Sequence, residues 1–489
     1  MVCTYRHCEV FLMDICALQL ENAKVVLVEN RHGFFKGADI DCNGLPEFCR
    51  VLVEAKPGEN SLIYIEVWLP KDWNGLFVGL GNGAMGGINN HADMAVYIKQ
   101  GYAVSNADLG TSRGKESGAH NPDVWKDFGY RASGLIGPIG KQVLRAYYGQ
   151  KERFSYFIGG STGGQQALCL AQRFPEEYDG IIAAVPGLYR TGLHTYFLWN
   201  HRHLFQEGQN LFTQQEAEQI TDSAAAFFQE LGDGEKGDNF VTFPYRDENT
   251  ITDFMRYLSR NNPDLSKEQL AALQAVYQGP IHKKTGEQIH AGMPIGSECF
   301  GGGLLSYQAP DSLNFFPFLW AFGADYDVNQ FDFGEDFDAL QACVSDDLDA
   351  TDADVSAFLA HGGKLLMFSG SADSCVPFAE AMEYYNRVCE KMGGYEAIQD
   401  QFRYFIMPGK DHNWGGRGGN QEWCDEKGTG VLEALRKWVE TDVQPDYLVA
   451  AHVDSETEEV CFTRRVYPYT ADKKMGTQFP QTAAKRFLK

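Results

Sequence analysis

A serine inside a glycine-rich turn is the residue of this sequence best suited to do chemistry. Ser161 lies in residues 159–163, Gly-Gly-Ser-Thr-Gly, which match the pattern G-x-S-x-G. An aromatic and apolar strand is predicted over 154–158 and a helix over 164–174, so the serine sits on a tight strand-to-helix turn. Such a turn holds the hydroxyl clear of the sheet, and the helix N-terminus stabilises negative charge beside it. The pattern predicts a nucleophilic serine.

Two further residues lie where a serine of this kind needs its acid and its base. The chain order in α/β-hydrolases is serine, then carboxylate, then histidine. Asp373 follows one late predicted strand and His412 follows the next. We expect His412 to accept the proton of Ser161 and Asp373 to fix the imidazole tautomer. Asp411 is the rival acid, and it ranks lower because adjacent side chains in a loop rarely face each other.

A glycine-rich loop after an early predicted strand admits two interpretations. Residues 81–86, Gly-Asn-Gly-Ala-Met-Gly, could supply a backbone N–H to an oxyanion hole, from Gly83 or from Asn82, with a second N–H from Thr162. Gly83 is preferred. The same residues fit the dinucleotide fingerprint G-x-G-x-x-G, with Asp108 as the ribose-binding acid. The oxyanion interpretation is favoured because the serine, acid and histidine support it at three independent places.

The elements that must position these residues alternate between strand and helix. This alternation predicts an α/β fold, an α/β-hydrolase core with a mainly parallel sheet and helices on both faces. The alternation stops after the strand that ends near 186 and returns near 355, and the segment between is rich in aromatic helices and irregular stretches. We therefore expect two core parts, 1–187 and 341–489, separated by an inserted lid domain at 188–340.

Composition narrows the possible partners and the location. The formal charge of −24 argues against nucleic acid and anionic membranes. No apolar run reaches the roughly 18 residues of a membrane span. No C-x-x-C pair indicates a zinc site, and the first twenty residues lack the order of a signal peptide. These features favour a reducing, cytoplasmic location over secretion.

The chain resembles the tannase and feruloyl esterase family over about residues 45–470. The resemblance is carried by many short segments besides the serine turn, and together they are highly specific. They include residues 127–132 (Asp-Phe-Gly-Tyr-Arg-Ala), 171–175 (Ala-Gln-Arg-Phe-Pro), 276–280 (Val-Tyr-Gln-Gly-Pro), 331–333 (Phe-Asp-Phe) and 407–409 (Met-Pro-Gly). The resemblance implies an α/β-hydrolase with a lid that hydrolyses phenolic-acid esters.

The cysteines of this chain depart from the family's pattern. Family members commonly carry one cysteine just before the serine and another just after the histidine, joined as a brace. Here these positions are Gly160 and Asn413, so the brace cannot form. Cys16 and Cys49 lie where the family often has an N-terminal bridge, and the resemblance leaves that disulfide open.

The family's calcium loop in the lid is also altered. This chain has Glu230, Asp233, Gly234, Gly237 and Asp238 there, with changed spacing. Oxygen ligands at this density could hold a structural calcium ion, at Asp233 and Asp238. The spacing favours a solvated acidic turn.

The sequence thus predicts a serine carboxylesterase for feruloyl, hydroxycinnamoyl or galloyl esters, with a small aromatic ester as its partner and no required cofactor. An alternative is hydrolysis of aromatic monoesters of the polyester-degrading type. A nucleotide-dependent oxidoreductase and a non-catalytic binding protein rank lower, because the serine, acid and histidine are all present.

Overall fold

One nine-stranded sheet organises the protein. The structure is a computed structural model, and it describes residues 15–38, 40–245, 249–306, 315–413 and 415–470. The strands run, in spatial order, β1-β2-β3-β5-β4-β6-β7-β10-β11. Their bounds are β1 Ala23–Lys36, β2 Asp41–Ala55, β3 Ile63–Pro70, β4 Leu76–Leu80, β5 Ala103–Ala107, β6 Phe154–Gly160, β7 Gly180–Ala184, β10 Lys364–Gly370 and β11 Phe402–Met407.

The sheet has an antiparallel edge and a parallel centre. Strands β1, β2 and β3 pair antiparallel, and β3 joins β5 antiparallel. From β5 onward every pair is parallel. All residues of β4, β5 and β11 are buried, as expected for parallel strands that are covered on both faces. The predicted mainly parallel α/β core is confirmed.

Fourteen helices are described in the part of the chain that the structure covers. They are α1 His91–Ile98, α2 Pro122–Lys126, α3 Ala132–Tyr148, α4 Thr162–Arg173, α5 Arg190–Leu204, α6 Gln214–Glu230, α7 Thr250–Asn261, α8 Lys267–Gln278, α9 Phe316–Phe322, α10 Glu335–Leu348, α11 Ser356–Ala360, α12 Phe378–Lys391, α13 Tyr395–Ile398 and α14 Val431–Thr441. A π-helical turn, Asp127–Arg131, leads into α3. Capping boxes begin α6 at Thr213 and α8 at Ser266, which satisfies two amides at each N-terminus.

Two apolar layers cover the two faces of the sheet. Helices α1 and α14 pack on one face, where Met94, Ile98 and Trp438 are buried. Helices α3, α4 and α12 pack on the other, which belongs to a larger apolar cluster. Burial on both sides fixes the sheet as a rigid support for the loops at its strand ends.

The segment between β7 and β10 adds no strand to the nine-stranded sheet within the described residues. It contains α5 to α11 and a short hairpin of β8 (Phe205–Gln206) and β9 (Gln209–Asn210). We call residues 185–363 the inserted segment. Its buried side chains belong to the same apolar cluster as α3 and α4, so it packs directly on the core. The lid boundaries at 188–340 stay a prediction.

Two features of the structure were not predicted, and a disulfide that the resemblance left open is absent. Strands β1 and β2 were not predicted; β1 is an edge strand with mostly exposed or half-exposed residues. A second sheet, of β12 (Gln421–Trp423), β13 (Leu448–Val453) and β14 (Val460–Val466), was also not predicted. No disulfide joins Cys16 to Cys49: Cys16 is exposed, whereas Cys49 points into the core from β2.

Candidate active site

The carboxyl ends of four parallel strands bring the predicted site residues together. Gly83 follows β4, Ser161 follows β6, Asp373 follows β10 and His412 follows β11. Because these strands run parallel in one sheet, their carboxyl ends meet at the same edge. The order of the strands thus brings residues that are far apart in sequence close together in space.

Ser161 has the strained backbone that the serine turn requires. Its φ of 61° and ψ of −116° are unfavourable for a residue with a side chain. The turn is held because the Ser161 amide donates to the carbonyl of Ala184 at 3.0 Å. A side chain at Gly159 would collide with the backbone of Gly163. Glycine is therefore required next to the serine for steric reasons.

The three predicted side chains form one hydrogen-bonded series. His412 Nε2 lies 3.0 Å from Ser161 Oγ, and His412 Nδ1 lies 2.8 Å from Asp373 Oδ2. Asp373 is fully buried, and its Oδ1 accepts from the amides of Cys375 at 3.0 Å and Val376 at 2.8 Å. With its proton on Nδ1, the imidazole donates to Asp373 and leaves Nε2 to accept from the serine hydroxyl. This arrangement can remove a proton from Ser161.

The charge state of His412 depends on its carboxylate neighbour. Burial is the largest single influence and lowers the pKa of His412, but the Asp373 and Asp411 carboxylates together raise it by more, so the net pKa lies above the ordinary value of 6.5. A histidine so placed can accept a proton and return it.

Asp411, the other candidate for the acid, makes different contacts. Its Oδ1 accepts from the amides of Asn413 at 2.9 Å and Gly415 at 2.7 Å. These bonds hold the loop that carries His412, at the place where family members commonly have a disulfide. Asp411 thus organises the loop backbone, and Asp373 is the carboxylate that contacts the imidazole.

The loop after β4 presents Gly83 to the serine turn. The Asn82 amide already donates to Gln166 Oε1 at 2.8 Å, which removes Asn82 as an oxyanion donor. The amide of Gly83 makes no hydrogen bond with any residue that the structure describes. Thr162 is the first residue of α4, so its amide has no acceptor within the helix. These two N–H groups are the available donors.

Arg190 is a residue of the site that the sequence analysis missed. It is 4% exposed and donates from Nη2 to Thr162 Oγ1 at 2.5 Å and from Nε to Gln165 Oε1 at 2.6 Å. Thr162 Oγ1 in turn donates to the carbonyl of Ala84 at 2.5 Å. Burial lowers the pKa of Arg190 to about 10, which leaves it charged at neutral pH. Arg190 therefore ties the two oxyanion loops together, and no local sequence pattern marks it.

A cavity of about 980 Å³ surrounds the serine and histidine. Part of its lining, which we call the inner lobe, consists of Leu193, His194, Phe197 and Phe316, all from the inserted segment and all buried. Other lining residues lie in or next to α1, β12 and α14, and they include Val96, Tyr97, Tyr102, Trp423, Glu433 and Arg436. A volume of this size suits a small organic substrate.

The structure does not support Asp108 as the ribose-binding acid of the dinucleotide interpretation. Asp108 is 2% exposed, and its Oδ1 accepts from the amides of Tyr64 and Gly110, both at 3.0 Å. It is not among the residues that line the cavity. A side chain at Gly81 would stand 2.5 Å from the Cα of Gly163, so this glycine permits the packing of the loop on the serine turn.

The two residues suggested for calcium are engaged with protein donors. Both oxygens of Asp238 accept from Arg464, at 2.6 and 2.5 Å. The Asp233 carboxylate accepts from the amides of Thr242 at 2.6 Å and Phe243 at 3.3 Å. The described ranges contain no group of three or more His, Cys, Asp or Glu side chains that could hold a metal ion. An arginine already neutralises Asp238, so these residues do not fit a calcium ion.

Across residues 15–470, leaving aside the stretches not described, no helix is long and apolar enough to span a membrane.

Comparisons with known proteins show the family of this chain. The family model described as tannase and feruloyl esterase matches residues 49–306 and 321–487. The chain is 26% identical over 440 residues to a probable feruloyl esterase B-1 of Aspergillus terreus, covering 86% of this chain and 82% of the relative.

Two solved structures share the fold. Feruloyl esterase B of Aspergillus oryzae superposes with a TM-score of 0.81 at 23% identity, over 97% of this chain and 99% of that one. Tannin acyl hydrolase of Aspergillus niger superposes with a TM-score of 0.73 at 18% identity, over 94% and 92%. The chain therefore belongs to the tannase and feruloyl esterase family, and it is a carboxylic ester hydrolase with an α/β-hydrolase fold.

Proposed function

We propose that this protein hydrolyses esters of phenolic acids, hydroxycinnamoyl or galloyl, through Ser161, His412 and Asp373 and an acyl-enzyme intermediate. The observation that carries the proposal is the series Ser161 Oγ to His412 Nε2 at 3.0 Å and His412 Nδ1 to Asp373 Oδ2 at 2.8 Å. A nucleophile, a base and an orienting acid in this contact are suited to acyl transfer.

The first half of the reaction forms the acyl-enzyme. His412 Nε2 takes the proton of the Ser161 hydroxyl as Oγ bonds to the ester carbonyl carbon. The carbonyl oxygen becomes an oxyanion that accepts from the amides of Gly83 and Thr162. The carbon–oxygen bond to the alcohol then breaks, and the imidazolium returns its proton to the departing oxygen. Asp373 stabilises the imidazolium while it exists.

The second half releases the acid. Water loses a proton to His412 Nε2 and its oxygen bonds to the acyl carbon. The bond from that carbon to Ser161 Oγ breaks, and Oγ recovers the proton. The free phenolic acid leaves and the serine is restored.

The inner lobe favours a flat aromatic acyl group. Phe197 and Phe316 line it, and aromatic rings pack well against one another by stacked or edge-on contacts. Relatives in the family carry the name feruloyl esterase, which agrees with such a group. The net charge of −24 supports a small ester rather than nucleic acid as the partner.

A panel of esters tests this function. Methyl ferulate, coumarate, caffeate and gallate, and a monoester of an aromatic diacid, are assayed beside a small acetate ester. The wild type should hydrolyse at least one of the phenolic esters with a higher kcat/KM than the acetate. Ser161→Ala, with an unchanged circular dichroism spectrum and Tm, should lose on the order of 10⁴-fold in kcat. Preference for acetate, or activity retained by a folded Ser161→Ala protein, would overturn the proposal.

A further inference from the structure

The loop that carries Gly83 has a strained backbone next to the proposed oxyanion donor. We call residues 81–90, between β4 and α1, the oxyanion loop. Ala84 has a φ of 47°, in the left-handed region that residues with a side chain rarely adopt. Such a conformation persists only where the surrounding contacts fix it. The oxyanion loop must therefore be held in place by neighbouring parts of the protein.

The direction of the Gly83 N–H depends on Asn82. The carbonyl of Asn82 and the amide of Gly83 belong to one peptide group, and a peptide group is planar. The Asn82 carbonyl accepts from the Gly163 amide at 2.7 Å, and the Asn82 amide donates to Gln166 Oε1 at 2.8 Å. Both contacts join the oxyanion loop to helix α4, which follows the serine. A shift of Asn82 would therefore turn the Gly83 N–H away from the oxyanion.

The side chain of Asn106, in β5, contacts both ends of the oxyanion loop. Its Nδ2 donates to the carbonyl of Leu80, the last residue of β4, at 2.7 Å. Its Oδ1 accepts from the amide of Asn90, the residue before α1, at 2.8 Å. The side chains of Asn106 and Asn82 also exchange two hydrogen bonds, at 3.2 and 3.4 Å. One amide side chain thus links the start of the loop, its end and the residue that orients Gly83.

Asn106 acts at a distance from the substrate. It is 0% exposed, and it is not among the residues that line the cavity, whereas Asn82, Gly83 and Asn90 are. A strand buried on both faces favours apolar side chains, so a buried asparagine there needs hydrogen-bond partners. The partners of the Asn106 side chain described above all lie within residues 80–90. Asn106 can therefore affect the reaction only through the oxyanion loop.

We propose that Asn106 is a positioning residue, which fixes the oxyanion loop so that the Gly83 N–H is oriented before the substrate binds. The inference rests on the proposed function, acyl transfer with Gly83 as an oxyanion donor, and deepens it. A donor that is already oriented needs no rearrangement when charge develops on the carbonyl oxygen. Loss of Asn106 should therefore raise the barrier of acyl transfer and leave the binding of the uncharged ester almost unchanged.

The variants Asn106→Ala and Asn82→Ala are compared with a matched control, Asn74→Ala. Asn74 precedes β4, at the opposite end of that strand from the oxyanion loop. Its Nδ2 donates to the carbonyl of Gln100 at 3.1 Å, and its Oδ1 accepts from the amide of Leu76 at 2.9 Å. It is not among the residues that line the cavity. The control thus removes similar side-chain contacts with the backbone away from the site.

Steady-state kinetics on a methyl hydroxycinnamate and on p-nitrophenyl acetate give the first measurement, with active enzyme titrated by a serine-reactive phosphonate. Because complete loss of one oxyanion donor costs roughly 10²–10³-fold in kcat, Asn106→Ala should lower kcat by about 30-fold on both esters, with little change in KM. Asn82→Ala should lower kcat by about tenfold, and the double variant by about 30-fold rather than by the product, because both side chains act on one peptide group. Asn74→Ala should keep the wild-type kcat.

A transition-state analogue separates positioning from stability. An aryl trifluoromethyl ketone adds to the Ser161 hydroxyl as an ionised hemiketal, whose oxygen occupies the oxyanion hole, whereas the matching methyl ketone binds without this adduct. In Asn106→Ala the Ki of the trifluoromethyl ketone should rise by about 30-fold, in parallel with the loss of kcat, and the Ki of the methyl ketone should stay unchanged. A merely structural role would lower the Tm and the titrated active fraction but leave the ratio of the two Ki values unchanged.

Two results would overturn the inference: a wild-type kcat and Ki ratio in folded Asn106→Ala, or an equal loss of kcat in Asn74→Ala. If Asn106→Ala does not fold, Asn82→Ala decides, and an unchanged Ki ratio in that variant overturns the inference. The second ester separates this outcome from a failure of the proposed function. If the wild type cleaves p-nitrophenyl acetate but no phenolic ester, the phenolic substrate is wrong, and the same variants still support or overturn the role of Asn106. If the wild type cleaves neither ester, both proposals fail.

Discussion

The strand-end loops and the inserted segment contribute different parts of the site. The proposed nucleophile, base, acid and oxyanion donors all follow strands of the nine-stranded sheet. The inner lobe is built from α5 and α9 of the inserted segment. Hydrogen bonds of 2.8–3.0 Å fix the first group, whereas apolar packing shapes the second. Reaction chemistry therefore depends on the sheet, and we expect substrate preference to depend on the inserted segment.

Arg190 connects the two regions. It is the first residue of α5 in the inserted segment, and it donates a hydrogen bond to Thr162, the first residue of α4 after Ser161. Because the inserted segment shares its apolar cluster with the core, removing it whole would expose apolar surface and invite aggregation. Single substitutions separate the two regions better.

The largest effect is expected at the acid of the strand-end loops. Asp373→Asn should lower kcat by about 10⁴-fold, because an asparagine leaves the imidazole in the wrong tautomer. Asp411→Asn is the matched control: it weakens two loop amide contacts but leaves the carboxylate on His412, so the loss should be far smaller. Steady-state assays of both folded variants on one methyl hydroxycinnamate give the ranking. If Asp411→Asn loses more activity than Asp373→Asn, our assignment of Asp373 as the acid is wrong.

A change in the inserted segment should alter preference more than rate. Phe316 lines the inner lobe and packs on Trp320 with centroids 4.5 Å apart. Phe316→Leu should lower the kcat/KM ratio of methyl hydroxycinnamate to a small acetate ester by about tenfold, because the aromatic wall is lost. Phe322→Leu, in the same helix but outside the cavity lining, should leave the ratio unchanged. If both variants keep the wild-type ratio, the acyl group does not bind in the inner lobe.

The pH profile reports on the strand-end loops alone. His412 must be neutral to accept the serine proton, and its pKa is raised above 6.5 because the Asp373 and Asp411 carboxylates together outweigh burial. The kcat/KM should therefore be full above this raised pKa and fall about tenfold per pH unit below it. Phe316→Leu should keep the same midpoint, and the residual activity of Asp373→Asn should have a lower one. If Phe316→Leu shifts the midpoint of the pH profile, the strand-end loops and the inserted segment do not act separately.

The smallest effect is expected in the acidic turn of the inserted segment. Asp238→Asn removes a bidentate pair with Arg464, whose side chains are 7% and 12% exposed, and should cost about 2 kcal/mol of unfolding free energy. Asp222→Asn breaks an ion pair with Arg417 in which Asp222 is 68% exposed, and should cost about 0.5 kcal/mol or less. Thermal melts with and without a calcium chelator provide the measurement. A chelator-dependent fall in the wild-type Tm would establish a calcium site after all.

The sequence predicted the parallel strands well because they are buried on both faces. Strands β10 and β11 are mostly apolar, and the residues after them could be assigned from chain order alone. Edge strand β1 escaped prediction because most of its exposed positions carry polar side chains. Local pattern is informative where burial is complete and weak at the edge of a sheet.

Contacts between distant segments could not be read from the sequence. Arg190 reaches Thr162 across 28 residues, and Lys410, after β11, pairs with Glu422 in β12, a strand of the second sheet. The sequence analysis preferred Gly83 over Asn82, and the reason that Asn82 is occupied, its hydrogen bond to Gln166, is visible only in the structure. These assignments depend on which hydrogen bonds are already occupied, and that depends on the tertiary structure.

Covalent labelling tests the central claim most directly. A serine-reactive phosphonate should add once to the wild type, and peptide mapping by mass spectrometry should find the adduct on Ser161, because its Oγ lies 3.0 Å from His412 Nε2. Excess methyl hydroxycinnamate should slow the labelling, and loss of hydrolysis should follow it one to one. Labelling at another residue, or full ester hydrolysis by protein labelled at Ser161, would contradict the account.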